Sequence, residues 1–171
     1  PTTYKAQLPG GGCQLTFTIA VTTITSMPSV AAGTLEYCQN SPAVALTATP
    51  SNPSYTLYYY APSNGATQPS IIPATDVVGT FTYQVAEGPS STCISSNRAN
   101  IPVTILELPT ITATPEQPLC FGQTGSVVLA SSGGTGALAY SAINPATSGL
   151  NAGSYTYSVS DSKNCRATAT A

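Results

Sequence analysis

The stretch Gly79-Thr80-Phe81-Thr82-Tyr83-Gln84-Val85, followed by Cys93, returns as Gly153-Ser154-Tyr155-Thr156-Tyr157-Ser158-Val159, followed by Cys165. In the first copy Phe81, Tyr83 and Val85 fall on one face and Thr80, Thr82 and Gln84 on the other. Tyr155, Tyr157 and Val159 repeat the pattern against Ser154, Thr156 and Ser158. Successive side chains of a strand point to opposite faces, so this period of two describes a half-buried antiparallel strand entered through a turn glycine. Each copy carries a cysteine six to eight residues past its last valine. A fainter third trace opens the chain, where Tyr4, Ala6 and Leu8 alternate ahead of Cys13 and a strand-like run over 15–24.

Working outward from the repeat, breaker clusters divide the rest into short strands. Residues 1–28 read as the last strands of a preceding β module plus a linker, since two strands make no stable core alone. Residues 29–108 hold strand candidates at 34–37, 43–49, 55–60, 80–86 and 99–106, separated by Pro50-Ser51-Asn52-Pro53, Pro62-Ser63-Asn64-Gly65 and Gly88-Pro89-Ser90-Ser91. Five strands with such turn signals over this span read as an immunoglobulin-like β-sandwich. Residues 109–171 hold candidates at 110–114, 126–130, 137–141, 154–160 and 165–171, the last stopping as if in mid-strand. The expected fold is therefore all-β, a tandem of disulfide-stapled immunoglobulin-like β-sandwich modules. The start on Pro1 without a leader pattern and the mid-strand end read as a fragment of a longer chain.

Composition narrows the function classes. Only six acidic and four basic residues occur among 171, against about a quarter charged in an average domain. The surface must be built from hydroxyls and amides. A formal net charge of -2, with the basic residues scattered at Lys5, Arg98, Lys163 and Arg166, makes no patch for nucleic acid or an acidic membrane. No run approaches the roughly 20 apolar residues of a membrane helix, so no membrane insertion is expected. The 42% apolar content comes as short β-branched and tyrosine-rich runs, which argues against disorder. Prolines 28, 50, 102, 109 and 115 are expected to flank or edge strands, where the missing N–H costs least.

Five cysteines without a single histidine or C-x-x-C spacing point to disulfides and away from zinc. Four cysteines admit three connectivities. Modular repetition suggests Cys38 with Cys93 and Cys120 with Cys165, leaving Cys13 unpaired in this chain and expected to bond upstream of residue 1 or between chains. Disulfides persist in oxidising compartments, which places the protein outside the cell or on its surface.

No constellation for catalysis emerges. Without histidine, a serine or cysteine triad lacks its base. Glu36, Asp76, Glu87, Glu107, Glu116 and Asp161 are too dispersed in sequence to pair for glycoside hydrolysis, and calcium needs a denser acid cluster. Asp161-Ser162-Lys163-Asn164 reads as a turn held by the aspartate side chain. The glycine runs 10–12 and 133–136 lack the G-K-[ST] and the helix of a phosphate loop, and read as hairpin turns. The threonine runs show no short fixed period, so an ice-binding array is not expected. Consecutive Tyr58, Tyr59 and Tyr60 must split between two faces, with Tyr58 and Tyr60 together and Tyr59 opposite. Tyr59 is accordingly the candidate for contact with a glycan.

Two stretches resemble known families. The middle one, with Tyr37-Cys38-Gln39-Asn40, the run 45–50, Tyr58-Tyr59-Tyr60, the repeat at 79–85 and Cys93-Ile94-Ser95-Ser96, looks like the immunoglobulin-like repeats of large secreted proteins of Bacteroidota. The last, with Cys120-Phe121-Gly122, Gly125-Ser126-Val127, Gly133-Gly134-Thr135-Gly136, Leu150, the repeat at 153–159, Asp161 and Cys165, is similar to the SprB repeat of gliding-motility adhesins. Tyrosine stands where many such modules carry a central tryptophan, and Tyr140-Ser141-Ala142 replaces an aromatic-rich pair. The resemblance implies a long, type IX-secreted bacterial surface filament or adhesin for attachment or gliding. No catalytic residue, metal or cofactor follows from it. Its partners would be neighbouring modules of the same polypeptide, with surface polysaccharide or other filament subunits beyond them. A carbohydrate-binding accessory module of a secreted multidomain enzyme is the alternative.

Overall fold

A computed structural model describes residues 2–7, 14–19, 23–63, 65–118, 120 and 122–171. Cys13, and with it the expectation for its partner, lies outside the described residues. The fold is all-β, with twelve strands and no helix among the described residues. β1 (Thr2–Gln7) and β2 (Gln14–Ile19) form an antiparallel hairpin in which Thr2 faces Ile19 and Gln7 faces Gln14.

The next sheet has the order β3-β6-β5-β4, from β3 (Leu35–Cys38), β4 (Thr56–Tyr60), β5 (Gly79–Gly88) and β6 (Ala99–Leu106). The quoted repeat is β5, antiparallel to both neighbours: Tyr59 lies opposite Val85 and Tyr83 opposite Ile101. β3 runs parallel to β6, with Leu35 beside Val103 and Cys38 beside Leu106. In β6 the alternation is complete, Ala99, Ile101, Val103 and Ile105 being buried. They pack with Tyr83, Val85, Tyr59, Leu46 and Ile71 into one core. Burying such side chains stabilises by about 1.5–3 kcal/mol each, which explains why this face is so strictly apolar. Pro102 sits inside β6, but β3 begins only opposite Val103, so only β5 runs beside the proline.

The expected strand over 43–49 is reduced to two anchor points. Leu46 N–H donates to Ile71 O at 2.9 Å, and Thr49 bridges Ser29. Pro69 and Pro73 flank Ile71 two residues away on either side and have no N–H, so the facing segment cannot complete a ladder.

Residues 109–171 form two three-stranded sheets. One is β10-β8-β7, from β7 (Pro109–Glu116), β8 (Gly125–Gly133) and β10 (Ser148–Leu150). The other is β12-β11-β9, from β9 (Ala139–Tyr140), β11 (Thr156–Ser160) and β12 (Arg166–Thr170). β7 runs against β11 and β12, and Val127, Tyr157, Val159 and Cys165 are buried. The second copy of the repeat is thus β11, with Tyr157 fully enclosed and its hydroxyl donating to Ala146 O at 2.9 Å.

Candidate functional site: the clasp between β3 and the β11–β12 turn

Cys38 ends β3 at the foot of the four-stranded sheet, beside Leu106, and hydrogen bonds fix it from both sides. Gln39 N–H donates to Leu106 O at 2.9 Å, and the Gln39 side-chain amide donates to Asp76 O at 2.8 Å. Asn40, at φ 60, turns the chain in the left-handed region that asparagine tolerates, and its N–H donates to Thr75 O. The Ser41 hydroxyl donates to Cys38 O at 2.6 Å and the Thr75 hydroxyl to Ser41 O at 2.7 Å.

Cys165 closes the turn between β11 and β12. The buried Asp161 carboxylate accepts the N–H groups of Lys163 and Cys165, each at 2.9 Å, and of Thr135 at 2.8 Å. Asn164, at φ 64, completes the reversal. This is the aspartate-held turn read from the sequence, with one addition: the same carboxylate also pins the glycine loop at 133–136. Gly134 lies so near that a Cβ there would stand 3.0 Å from Asp161 Oδ2.

The structure bonds Cys38 to Cys165, with 5.4 Å between the Cα atoms and 127 residues between the partners. Beside the bond, Lys163 Nζ meets Glu36 Oε2 at 2.6 Å. Both side chains are exposed, so this ion pair contributes at most about 1 kcal/mol and serves alignment more than strength.

The pairing corrects the expectation of Cys38 with Cys93 and of Cys120 with Cys165; Cys93 and Cys120 are free and exposed. The reason is geometric. Cys93 lies in the β5–β6 connection, at the Gly88 and Ala99 end of the sheet, whereas Cys38 lies at the Gly79 and Leu106 end. The length of β6 separates those ends by about 23 Å at the rise of a strand. Disulfide Cα atoms stand within about 7 Å. Cys120 likewise lies in the β7–β8 connection beyond Glu116 and Gly125, while Cys165 is held at the other end, where Asp161 meets Thr135.

A second carboxylate has the same setting. Glu87, two residues past Val85, is closed off from solvent and accepts the Ser51 N–H at 2.7 Å and the Ser51 hydroxyl. The buried Ser26 hydroxyl, with no partner of good hydrogen-bond geometry, stands near it. Burial pushes the carboxyl up, and the nearby Ser26 hydroxyl together with the two hydrogen bonds from Ser51 outweighs it, so Glu87 titrates below its ordinary value. Asp161 behaves alike: burial raises it, and the N–H groups of Thr135, Cys165 and Lys163 outweigh that and hold it below its ordinary value. From the sequence Glu87 was weighed only as one of six dispersed carboxylates, although its place in the repeat matches that of Asp161.

Tyr59 corrects the glycan expectation. It is 5% exposed and belongs to the core, while Tyr58 is half-buried and Tyr60 is buried. Burial pushes its phenol up, partly countered by a hydrogen bond at the Ala48 backbone. The Tyr60 ring instead faces the Arg98 guanidinium, whose carbon lies 3.6 Å from the ring centre. Among the described residues no three histidine, cysteine or carboxylate side chains gather to hold a metal. A comparison with protein-family models finds no match, and neither does a comparison with the curated proteins.

Proposed function

We propose that this chain is a structural segment of a long modular extracellular adhesin or filament, serving surface attachment or gliding motility, with immunoglobulin-like β-sandwich modules in tandem. The observation that carries this reading is the Cys38–Cys165 bond. It joins the foot of one β sheet to a turn at the head of the two following sheets, across 127 residues. A covalent clasp with an aligning ion pair resists bending and pulling, and a load-bearing stalk needs that.

Equivalent positions in the two halves support the tandem reading. Pro28 and Pro109 are both fully buried, and Leu46 N–H on Ile71 O is matched by Val127 N–H on Thr147 O at 2.8 Å. Tyr83, Val85 and Glu87 correspond to Tyr157, Val159 and Asp161. A disulfide suits an oxidising, extracellular setting, and no helix among the described residues is long and apolar enough to cross a membrane. The carbohydrate-binding alternative loses the aromatic residue on which it rested, because Tyr59 is enclosed.

Immunogold electron microscopy of the producing cells, with antibodies against residues 29–171, tests the reading. Label along surface filaments supports it. Label confined to the soluble secreted fraction overturns it.

A further inference from the structure

The Cys38–Cys165 bond closes a loop whose ends are 127 residues apart in sequence, and the chain on either side of that loop is laid along the sheets. Before the loop, residues 24–26 lie against the 95–97 connection, at the Ala99 end of β6. There Ser96 N–H donates to Ile24 O at 3.4 Å and the Ser95 hydroxyl to Ser26 O at 2.6 Å. The chain then bridges Thr49 at Ser29 and reaches the opposite end of the sheet as β3, parallel to β6 and ending at Cys38 beside Leu106. After the loop, Cys165 passes directly into β12, which lies antiparallel to β11 from Arg166 opposite Ser160 to Thr170 opposite Thr156.

We propose that this bond is a load shunt with a redox release. Tension along the chain runs from residue 24 to Cys38, crosses the two sulfur atoms and leaves through β12, so residues 39–164 carry none of it until a thiol reductant opens the bond. The inference rests on the load-bearing reading above and deepens it by naming the path of the load and what releases it.

Covalent connectivity decides the path. A pull applied upstream of Cys38 and downstream of Cys165 meets the disulfide before it meets the loop, because the bond holds the two Cα atoms 5.4 Å apart whatever the loop does. The loop contains β4 to β11, and with them the buried core around Val85 and Val103 and the enclosed Tyr157. Two strands are left in the path, β3 and β12, each hydrogen-bonded to a strand inside the loop, β6 and β11. Interstrand hydrogen bonds run across the strand direction, so a pull along β3 or β12 loads them together instead of one after another.

The release is thiol–disulfide exchange with a small dithiol as reductant. Cys165 is buried and Cys38 half-buried, so the attacking thiolate meets the Cys38 sulfur, bonds to it and displaces the Cys165 thiolate. The second thiol of the reductant then attacks its own bonded sulfur and frees Cys38. The two reductant thiols become one disulfide, and the two cysteines take the two electrons and two protons as thiols. Opening puts a further 127 residue steps under tension, which at about 3.3–3.6 Å each is roughly 420–460 Å of added length.

Single-molecule force spectroscopy on the full chain, tethered at residues 1 and 171 through tags that carry no thiol, tests this. In non-reducing buffer the chain is expected to lengthen only through residues 1–38 and 165–171, by roughly 150–160 Å. Dithiothreitol added to the same tethered molecule adds roughly 420–460 Å, and this arm depends on no variant that must fold. Cys38→Ser gives the long extension in either buffer. A long extension from the oxidised chain, or a short one that dithiothreitol leaves unchanged, overturns the proposal. So does an increment of roughly 180–200 Å, the length of a loop closed between Cys38 and Cys93. Immunogold label confined to the soluble fraction would remove the cell-surface reading and leave the shunt standing, whereas a failed shunt leaves that reading to be decided by the label.

Discussion

Glu87 and Asp161 occupy one position in two copies of one strand pattern, each two residues past a buried valine and each accepting a backbone N–H from a distant loop, Ser51 for one and Thr135 for the other. Each therefore ties the end of a core strand to a segment 26 or 36 residues away.

Both carboxyls titrate lower in the folded chain than their ordinary values near 4. Between folded and unfolded values the unfolded chain binds more protons, so stability is full above the unfolded value and falls as pH drops through the folded one. Denaturant unfolding from pH 7 to pH 2 is expected to show a plateau above about pH 5 and a decline below about pH 4. Asp161→Asn leaves N–H groups facing an amide and lowers stability at neutral pH by about 1–3 kcal/mol. In the double variant with Glu87→Gln the acid decline shrinks; an unchanged decline would show that other groups cause it.

The core strands were legible in the sequence because β5, β6 and β11 each bury one face, and a period of two survives only where one face is buried. β10 was not legible: it has three residues, with Gly149 in the left-handed region and no alternation. The segment over 43–49 has strand-forming residues, yet its ladder is limited by prolines in the segment it faces, which propensity along the chain does not register. Cysteine pairing depended on which end of each sheet a connection occupies. That follows from the parallel β3–β6 pairing, and no local pattern encodes it. Tyr59 was misplaced because alternation says which residues share a face but not which face meets the core.

Peptide mapping under non-reducing conditions should recover Cys38 linked to Cys165. Replacing both with serine removes the closure of a long loop and is expected to lower the unfolding free energy by about 2–4 kcal/mol. Glu36→Ala removes only an exposed ion pair and is expected to cost less than about 1 kcal/mol. Equal losses in the two variants would mean that the clasp acts through charge.

Gly88→Ala places a methyl group against the Cys93 carbonyl and Ile94 Cα, both backbone atoms that cannot swing aside. Overpacking of this kind costs about 1–3 kcal/mol. Gly65 has nothing within 4 Å of the same added atom, so Gly65→Ala should stay within about 0.5 kcal/mol of the parent. Thermal unfolding of the two variants side by side separates close packing from a general sensitivity to glycine replacement.

Tyr59→Ala empties a ring-sized volume among Leu46, Ile71 and Val85 and is expected to cost about 3–5 kcal/mol. Tyr59→Phe keeps the ring, removes the hydroxyl near the Ala48 backbone, and should cost only about 0.5–1.5 kcal/mol. Because burial raises this phenol, the alkaline absorbance titration should lose a late-ionising component in Tyr59→Phe. If the late component remains, the ring is not enclosed as the fold requires. A loss of affinity for any glycan in Tyr59→Phe, with stability unchanged, would return the residue to the surface role that its burial excludes.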